Sequence, residues 1–157
     1  MNFFVTGGSR GIGAAIVLQA VGEGHDVAFT YMSGKEGAEA VVAKAAHIDA
    51  ERKVRCYKLD VRSSAEVELV GEQVLDDFED IHVVVNNAGV NGAGLAVHMD
   101  DEEWHRVIDT NLNGTFYVSR FFLSGMLPLR FGRIINIGSV VSRGLAGQAH
   151  YAASKAA

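Results

Sequence analysis

The sequence predicts an α/β fold in which helices cover both faces of a doubly wound parallel sheet, giving three layers. Short β-branched or aromatic segments alternate with longer segments in which apolar residues recur every three or four positions. Glycine outnumbers proline by 18 to 1, a bias that favours tight turns and close backbone approaches. Polar or glycine-rich clusters follow four of the five predicted strands, and in such a sheet these strand ends form the edge that binds ligands.

Five segments are predicted as strands because they are rich in β-branched and aromatic residues. They are residues 2–6, 26–31, 53–59, 81–86 and 133–137. Since parallel strands are joined by right-handed crossovers, the chain is expected to wind in both directions from its first strand.

Three helices are predicted between the first four strands, at residues 11–21, 35–50 and 64–78. Each carries an apolar stripe that is expected to face the core. The stripes consist of Ile12, Ile16 and Ala20; of Val41, Ala45 and Ile48; and of Val67, Val70, Val74 and Phe78.

A long fourth helix is predicted to begin after Asp100 and to end before Pro128, because proline interrupts a helix. Ser63 lies three residues before Glu66, and Asp100 lies three residues before Glu103. Both pairs are predicted to form capping boxes, in which each side chain bonds the backbone N–H of the other residue. The apolar side of the long helix consists of Trp104, Val107, Ile108, Leu112, Thr115, Phe116, Ser119 and Phe122.

Length and composition predict one domain, residues 1–157, and exclude several classes of protein. A chain of 157 residues, 48% of them hydrophobic, can build one core but not two ordinary domains. The net charge of −5 comes from interspersed charges without a basic stripe, so nucleic acid is not an expected partner. No apolar run is long enough to span a membrane, Cys56 is the single cysteine, and no leader is evident. We therefore expect a soluble, cytoplasmic protein.

Residues 6–13, Thr-Gly-Gly-Ser-Arg-Gly-Ile-Gly, lead from the first strand into the first helix. Glycines in such a turn let a pyrophosphate approach the backbone, and the helix N-terminus supplies free N–H groups and a partial positive charge. The spacing differs from G-x-G-x-x-G and from a P-loop. We interpret it as a variant dinucleotide loop of a Rossmann-like domain, with a glycine-rich turn that binds nothing as the alternative. The candidate binding residues are Thr6, Gly7, Ser9, Arg10, Gly11, Ile12 and Gly13.

Five motifs follow one another along the chain. They are the glycine loop at 6–13, Asn-Asn-Ala-Gly at 86–89, Asn111, Ser139, and Tyr-Ala-Ala-Ser-Lys at 151–155. In this order and spacing the chain resembles the classical short-chain dehydrogenase/reductase family over essentially its whole length. Within the family, the motifs are most similar to those of 3-oxoacyl-[acyl-carrier-protein] reductases. The resemblance implies NADPH-dependent reduction of a 3-oxoacyl thioester on acyl-carrier protein, as in fatty-acid biosynthesis.

The resemblance implies four catalytic residues, and ketone reduction needs groups of these kinds. Hydride transfer builds negative charge on the carbonyl oxygen, so a proton donor and a second hydrogen-bond donor must face that oxygen. By resemblance, Tyr151 is the acid, Ser139 holds the carbonyl, and Asn111 shapes its helix and anchors a water for proton relay. Lys155, on the same helix face as Tyr151, would favour its phenolate form. Lys155 would also bond the nicotinamide ribose, so both residues are cofactor-binding candidates. A solvated helix position is the alternative for Asn111.

Two further strand ends carry candidate cofactor contacts. Asp60 and Val61 follow the third strand, where the resemblance places an acidic residue beside the adenine; a simple turn is the alternative. Asn87, Ala88 and Gly89 follow the fourth strand, where small residues would let the adenosine half of the cofactor lie against the sheet edge. Bracing of the strands is an equal alternative for this turn.

The sequence favours NADPH over NADH on two observations. An NAD-specific site places a carboxylate at the end of the second strand, and residues 30–34, Thr-Tyr-Met-Ser-Gly, contain none. Arg10 could pair with a 2′-phosphate, as its counterpart does in NADP-dependent relatives. A solvated surface charge is the alternative for Arg10.

Other chemistries find little support. The six histidines show no metal-ligand spacing, so no metal site is expected, and they are predicted at the surface or at strand ends. His150, which adjoins Tyr151, is interpreted as a residue that lines the substrate entrance. Gly138-Ser139-Val140 lacks the Gly-x-Ser-x-Gly pattern of a hydrolase nucleophile.

The sequence departs from the family pattern at its end, two residues after Lys155. The resemblance implies a longer helix there, two more strands, another helix and a segment that closes over the substrate. We therefore expect an exposed sheet edge, and either a fragment of a longer protein or a truncation without turnover. The alternatives to the reductase are another short-chain alcohol or ketone dehydrogenase and an inactive nucleotide-binding protein. Relatives are homo-oligomers, and for this chain the oligomeric state stays open.

Overall fold

The computed structural model describes residues 1–157 and contains one parallel sheet with strand order β3-β2-β1-β4-β5. The chain places β2 and β3 on one side of β1 and then crosses to place β4 and β5 on the other. The predicted doubly wound sheet is therefore confirmed. The strands are β1 (Asn2–Val5), β2 (Asp26–Tyr31), β3 (Val54–Lys58), β4 (Val83–Asn86) and β5 (Arg133–Asn136).

Four of the predicted strands are too long by one or two residues at one or both ends. Leu59 and Ile137 each donate one further hydrogen bond to the neighbouring strand, at 2.9 and 3.1 Å, before the chain turns away. Hydrogen bonding thus continues slightly beyond the regular ladder, and boundaries of this kind are the least defined part of a strand.

Six helices connect and follow the strands. They are α1 (Gly11–Gly22), α2 (Lys35–Ile48), α3 (Ser64–Phe78), α4 (Asp101–Ile108), α5 (Gly114–Leu129) and α6 (Ala149–Ala156). Two short 3₁₀ turns, Ala96–His98 and Val140–Arg143, precede α4 and α6. No helix combines the length and apolar composition that crossing a membrane requires.

The prediction of one long helix was wrong in two respects. A π-helical turn, Asp109–Asn113, separates α4 from α5. The helix also passes through Pro128 and ends at Leu129, where Arg130 takes a left-handed conformation with φ 50°. Pro128 lies in the last turn of α5, where its missing N–H costs one hydrogen bond near the helix end. The helix therefore tolerates it.

The sheet separates two apolar layers. In β1, Phe4 packs with β4, α3 and α5, whereas Val5 packs with β2, α1 and α2. All four predicted stripe residues of α3 are buried, but Ile12 is 64% exposed and Ile48 is 50% exposed. In α1, Ala20 is buried and Ile16 packs against the core as predicted, whereas Gly13, Val17 and Val21 and not Ile12 complete the buried face. Trp104 and Phe116 of the predicted long helix are exposed as well.

Each predicted capping box forms only one of its two reciprocal hydrogen bonds. Ser63 and Asp100 accept hydrogen bonds from the backbone N–H groups of Glu66 and Glu103, at 3.2 and 2.8 Å. The reciprocal bonds are absent, because the Glu66 carboxylate accepts from the N–H of Asp60 instead and Glu103 binds side chains elsewhere. Both helix starts are nevertheless capped.

The expected exposed edge is present at β5. This strand pairs with β4 alone, and Ile135 is 46% exposed. The outer edge of β5 is therefore unpaired, and it exposes one large apolar side chain.

Candidate functional site

A cleft of about 640 Å³ lies at the carboxyl ends of the strands, where the chain reverses direction between β1 and β4. The loops after β1, β2, β3 and β4 form its walls. Eleven predicted cofactor residues line it, namely Gly7, Ser9, Arg10, Gly11, Ile12, Gly13, Asp60, Val61, Asn87, Ala88 and Gly89. Thr6, Tyr151 and Lys155 do not line it.

The glycine loop gives this cleft a bare backbone surface. Gly7 and Gly11 have φ values of +68° and +56°, a conformation that other residues rarely adopt. A Cβ on Gly13 would overlap the carbonyl oxygen of Gly7 and the side-chain amide of Asn87. The backbone N–H groups of residues 9–13 bond no protein acceptor, and the α1 N-cap, Arg10, makes no side-chain cap. Free N–H groups of this kind at a helix N-terminus are suited to an anion.

Thr6 is buried below this surface, so its placement differs from the prediction of a direct cofactor contact. Its Oγ1 accepts hydrogen bonds from the N–H groups of Asn87 and Ala88, at 3.0 and 2.9 Å. The Asn87 amide returns bonds to the carbonyl oxygens of Thr6 and Gly7, at 2.9 and 3.1 Å. Asn87 therefore braces the two loops, as one interpretation of its turn predicts, and it also lines the cleft.

The wall formed by the end of β2 carries no carboxylate. Thr30, Tyr31, Met32 and Ser33 line the cleft there. Arg10 faces the same cleft, is exposed and makes no ion pair. This wall therefore presents no negative charge to repel a phosphate.

Asp60 is the only acidic residue in the cleft lining, and it is already paired. Its carboxylate accepts hydrogen bonds from the Arg62 guanidinium, the shortest at 2.6 Å, and one from the Arg62 backbone N–H at 3.0 Å. These bonds hold the pKa of Asp60 below its ordinary value. Asp60 is thus both a turn residue and a part of the cleft.

Asn111 lies buried within the π-helical turn, which contradicts the solvated alternative. Its Oδ1 accepts from the N–H of Val90 at 2.8 Å. Its Nδ2 donates to the Val90 carbonyl and to the Ser154 hydroxyl, both at 3.0 Å. Asn111 therefore ties the π-turn to the loop after β4 and to α6.

Lys155 lies close to this junction. Its Nζ donates a hydrogen bond to the carbonyl of Ile137 at 2.8 Å, and burial lowers the pKa of its ammonium group. A Cβ on Gly89 would lie 3.7 Å from Lys155 Nζ and 3.2 Å from Asn111 Oδ1. Gly89 thus lies between the cleft and the side chains of Asn111 and Lys155.

Tyr151 lies on the same helix as Lys155, and Ser139 precedes the 3₁₀ turn that packs against this helix. Tyr151 is partly buried in α6, four residues before Lys155 and on the same helix face. Ser139 follows β5, and its Oγ accepts from the N–H of Val141 at 3.2 Å at the start of a 3₁₀ turn. That turn packs against α6, so the four predicted catalytic residues belong to neighbouring elements.

The prediction for His150 was wrong. Its side chain is fully buried and its Nε2 lies 3.2 Å from Oε1 of Glu103, so it lines no entrance. Its position immediately before Tyr151 did not reveal this, because the partner is 47 residues away.

Sequence reasoning also missed cleft residues that carry no motif. Leu59 and Val90 are immediate neighbours of motif residues at strand ends, and this adjacency could have indicated them. Thr110 lies in the π-turn, and no sequence signal placed it at the cleft.

The doubly wound sheet, with the glycine loop at its reversal point and polar side chains around it, defines a Rossmann-like α/β protein. The protein-family model described as short chain dehydrogenase matches residues 2–157 of this chain. The chain therefore belongs to the short-chain dehydrogenase family.

Individual relatives agree with this assignment. The chain is 43% identical over 153 residues to the 3-oxoacyl-[acyl-carrier-protein] reductase FabG of Haemophilus influenzae, and 41% identical over 162 residues to that of Escherichia coli. These alignments cover 97% and 99% of this chain but 61% and 64% of the relatives. The chain thus spans less than two thirds of the length of these relatives.

Solved structures show the same fold. A mutant short-chain dehydrogenase/reductase of Serratia marcescens superposes with a TM-score of 0.88 at 36% identity, over 99% of this chain and 62% of that one. A putative short-chain alcohol dehydrogenase of Sinorhizobium meliloti superposes with a TM-score of 0.92 at 28% identity, over 99% and 61%.

Proposed function

We propose that the protein is an NADPH-dependent oxidoreductase that reduces the ketone of a 3-oxoacyl thioester to the 3-hydroxyacyl form. The observation that carries the proposal is the junction at Gly89, where a cleft suited to a dinucleotide meets Lys155 and Asn111. The names of the relatives in Haemophilus influenzae and Escherichia coli support the acyl-carrier-protein-linked substrate.

The cleft fits the phosphate-bearing part of a dinucleotide. The free N–H groups at the start of α1 would bind a pyrophosphate, and Gly7 and Gly13 leave its approach open. Asp60, Val61, Ala88 and Gly89 would contact the adenosine half. Tyr151 and Lys155 lie outside this cleft and would contact the nicotinamide half.

NADPH suits the cleft better than NADH. The β2 wall lacks the carboxylate that would hold a ribose 2′-hydroxyl, and the acid of Asp60 is neutralised by Arg62. Arg10 is free to pair with a 2′-phosphate.

Side chains of α6 and of the turn after β5 would supply the chemistry that a ketone requires. A bound nicotinamide would supply a hydride to the carbonyl carbon. Tyr151 would give its hydroxyl proton to the carbonyl oxygen, and the Ser139 hydroxyl would stabilise the charge that develops there. Lys155, kept close by its bond to Ile137, would favour the phenolate that remains on Tyr151. Asn111 holds the helix that carries both groups.

The test uses the protein purified at its natural length. We expect it to oxidise NADPH when a 3-oxoacyl thioester is added, and to use NADH poorly. Turnover of other ketones without any turnover of 3-oxoacyl thioesters would contradict the substrate assignment. Cofactor binding without turnover of any ketone would contradict the enzymatic assignment.

A further inference from the structure

His150 is a buried titratable residue that the proposed function does not use. It lies in the first turn of α6 with its side chain fully excluded from solvent. Its Nε2 lies 3.2 Å from Oε1 of Glu103 in α4, and its Nδ1 is buried without a partner. A carboxylate can only accept, so Nε2 carries the proton in this contact.

Glu103 joins this histidine to two other parts of the molecule. Its carboxylate accepts from Nε and Nη2 of Arg106, at 2.7 and 2.8 Å. Nη2 of Arg106 also donates to the carbonyl of Asn91 at 3.0 Å. The hydrogen bonds from Arg106, and after them the contact with His150, lower the pKa of Glu103 to about 2. Near neutral pH, Glu103 is therefore an ionised acceptor for Arg106 of its own helix and for His150 of α6, and Arg106 in turn bonds the loop after β4.

The packing around this contact leaves little freedom. A Cβ on Gly92 would overlap the Glu103 carboxylate and crowd Nε2 of His150. The loop backbone therefore closes directly over the hydrogen bond and keeps water from the imidazole.

The position of His150 on α6 relates this contact to the proposed catalytic residues. Ser154 is four residues further on and shares the face of His150, and its hydroxyl is bonded by Asn111 at 3.0 Å. Tyr151 and Lys155 each follow one of these residues, so both lie about 100° further round the helix. The bonds of His150 and Ser154 therefore fix the rotation of α6 about its axis, and this rotation sets where Tyr151 and Lys155 point.

We propose that His150 is a positioning residue, whose hydrogen bond to Glu103 sets the first turn of α6 and thereby the placement of the Tyr151 hydroxyl. The inference rests on the proposed function for its effect on activity. The geometric part, the fixing of α6 by His150, is independent of turnover.

The test compares His150→Leu with His150→Gln in the protein at its natural length. Leucine fills similar space without a donor, whereas the glutamine amide can donate to Glu103. We expect His150→Leu to lower kcat by about ten- to a hundredfold while KM for NADPH is retained, because the cleft is built on other loops. Amide hydrogen exchange of residues 149–156 is expected to become faster. His150→Gln is expected to restore both values towards wild type.

Glu103→Ala removes the same bond from the other side and serves if His150→Leu does not fold. Both substitutions break the contact between His150 and Glu103, and Glu103→Ala also removes the bonds from Arg106. The double variant is therefore expected to lose no more than Glu103→Ala alone.

Three results would overturn the proposal. They are unchanged exchange of residues 149–156 in the variants that break the bond, unchanged kcat in those variants, and a His150→Gln protein as impaired as His150→Leu. If the wild-type protein reduces no ketone, the proposed function fails, and the exchange measurement still decides whether His150 holds α6.

Discussion

At the scale of single residues, the glycine loop depends on the absence of side chains at defined points. Gly13 packs so closely on Gly7 and Asn87 that a Cβ cannot be accommodated without movement of the loop. The same contact holds α1 against the loops after β1 and β4, so stability and ligand binding are coupled at this position.

We expect Gly13→Ala to destabilise the protein by about 1–3 kcal/mol, the usual cost of overpacking, and to weaken NADPH binding. Urea unfolding and a fluorescence titration measure the two effects. Gly125→Ala is the matched control, because Gly125 lies in α5 with open space around it, and alanine is favoured there by up to about 1 kcal/mol. Equal stability of Gly13→Ala and wild type would show that the loop is not packed as described.

The lowered pKa of Glu103 leads to a second prediction, about how the free energy of unfolding changes in acid. Bonds from Arg106 and then His150 lower its pKa to about 2, from an ordinary value of 4.5. A carboxyl whose pKa is depressed by folding stabilises the fold above its unfolded pKa and loses that contribution as pH falls towards the folded pKa.

The free energy of unfolding of the wild-type protein should therefore fall between about pH 4.5 and pH 2 by more than that of Glu103→Gln. Urea titrations at several pH values measure this difference. Parallel pH dependences for the two proteins would contradict the assigned bonds.

At the scale of elements, the π-helical turn between α4 and α5 is the feature with the most direct link to the site. It places Asn111 where one amide group bonds the loop after β4 and the hydroxyl of Ser154. A regular helix would rotate these groups away from each other, since an inserted residue changes the phase of all that follows.

Asn111→Asp tests this connection with little change in shape. The acceptor to Val90 N–H is kept, but the two bonds donated by Nδ2 are lost and the Val90 carbonyl faces a carboxylate. We expect a loss of about 1–3 kcal/mol in unfolding free energy for the unmatched polar groups, and faster amide exchange in α6. Unchanged stability would mean that α6 is held by other contacts alone.

Elements with repeated patterns were predictable from sequence, and single long-range contacts were not. The stripe of Val67, Val70, Val74 and Phe78 identified α3 because four buried residues recur at helical spacing. The π-turn has no such signature, since its residues are ordinary helix positions. His150 was misplaced because its burial depends on Glu103, which sequence reasoning assigned to a capping box.

The candidate site shows the same division. The order of the motifs along the chain was enough to predict that the glycine loop, Asp60 and the turn after β4 meet in one cleft. Parallel strands end at the same edge of a sheet, and the structure has all three in the cleft lining. The buried position of Thr6 was not predicted, because it follows from bonds across two loops. Side chains of β1 alternate between the two faces of the sheet, which explains why Phe4 and Val5 pack into different apolar layers.

At the scale of the whole molecule, a ligand that binds the folded cleft stabilises the entire sheet. The walls of the cleft come from four strand ends, so unfolding of the sheet removes the binding surface completely. Stabilisation then depends on ligand concentration relative to Kd, and a hundredfold excess over Kd is worth about 2.7 kcal/mol.

We expect NADP⁺ to raise Tm more than NAD⁺ at equal concentration. Arg10→Ala is expected to reduce the NADP⁺ effect and to leave the NAD⁺ effect unchanged, because only the former carries a 2′-phosphate. Differential scanning fluorimetry measures both. A larger shift with NAD⁺, or equal losses for both cofactors in Arg10→Ala, would contradict the NADPH preference.

The most direct test of the proposed chemistry compares wild type with Tyr151→Phe at natural length, by following NADPH oxidation with a 3-oxoacyl thioester. The substitution removes one hydroxyl from a side chain outside the cofactor cleft. We expect turnover to fall by at least about a hundredfold, while NADPH binding measured by fluorescence is retained. Substantial turnover in Tyr151→Phe would show that the proton comes from another group and would contradict the role assigned to α6.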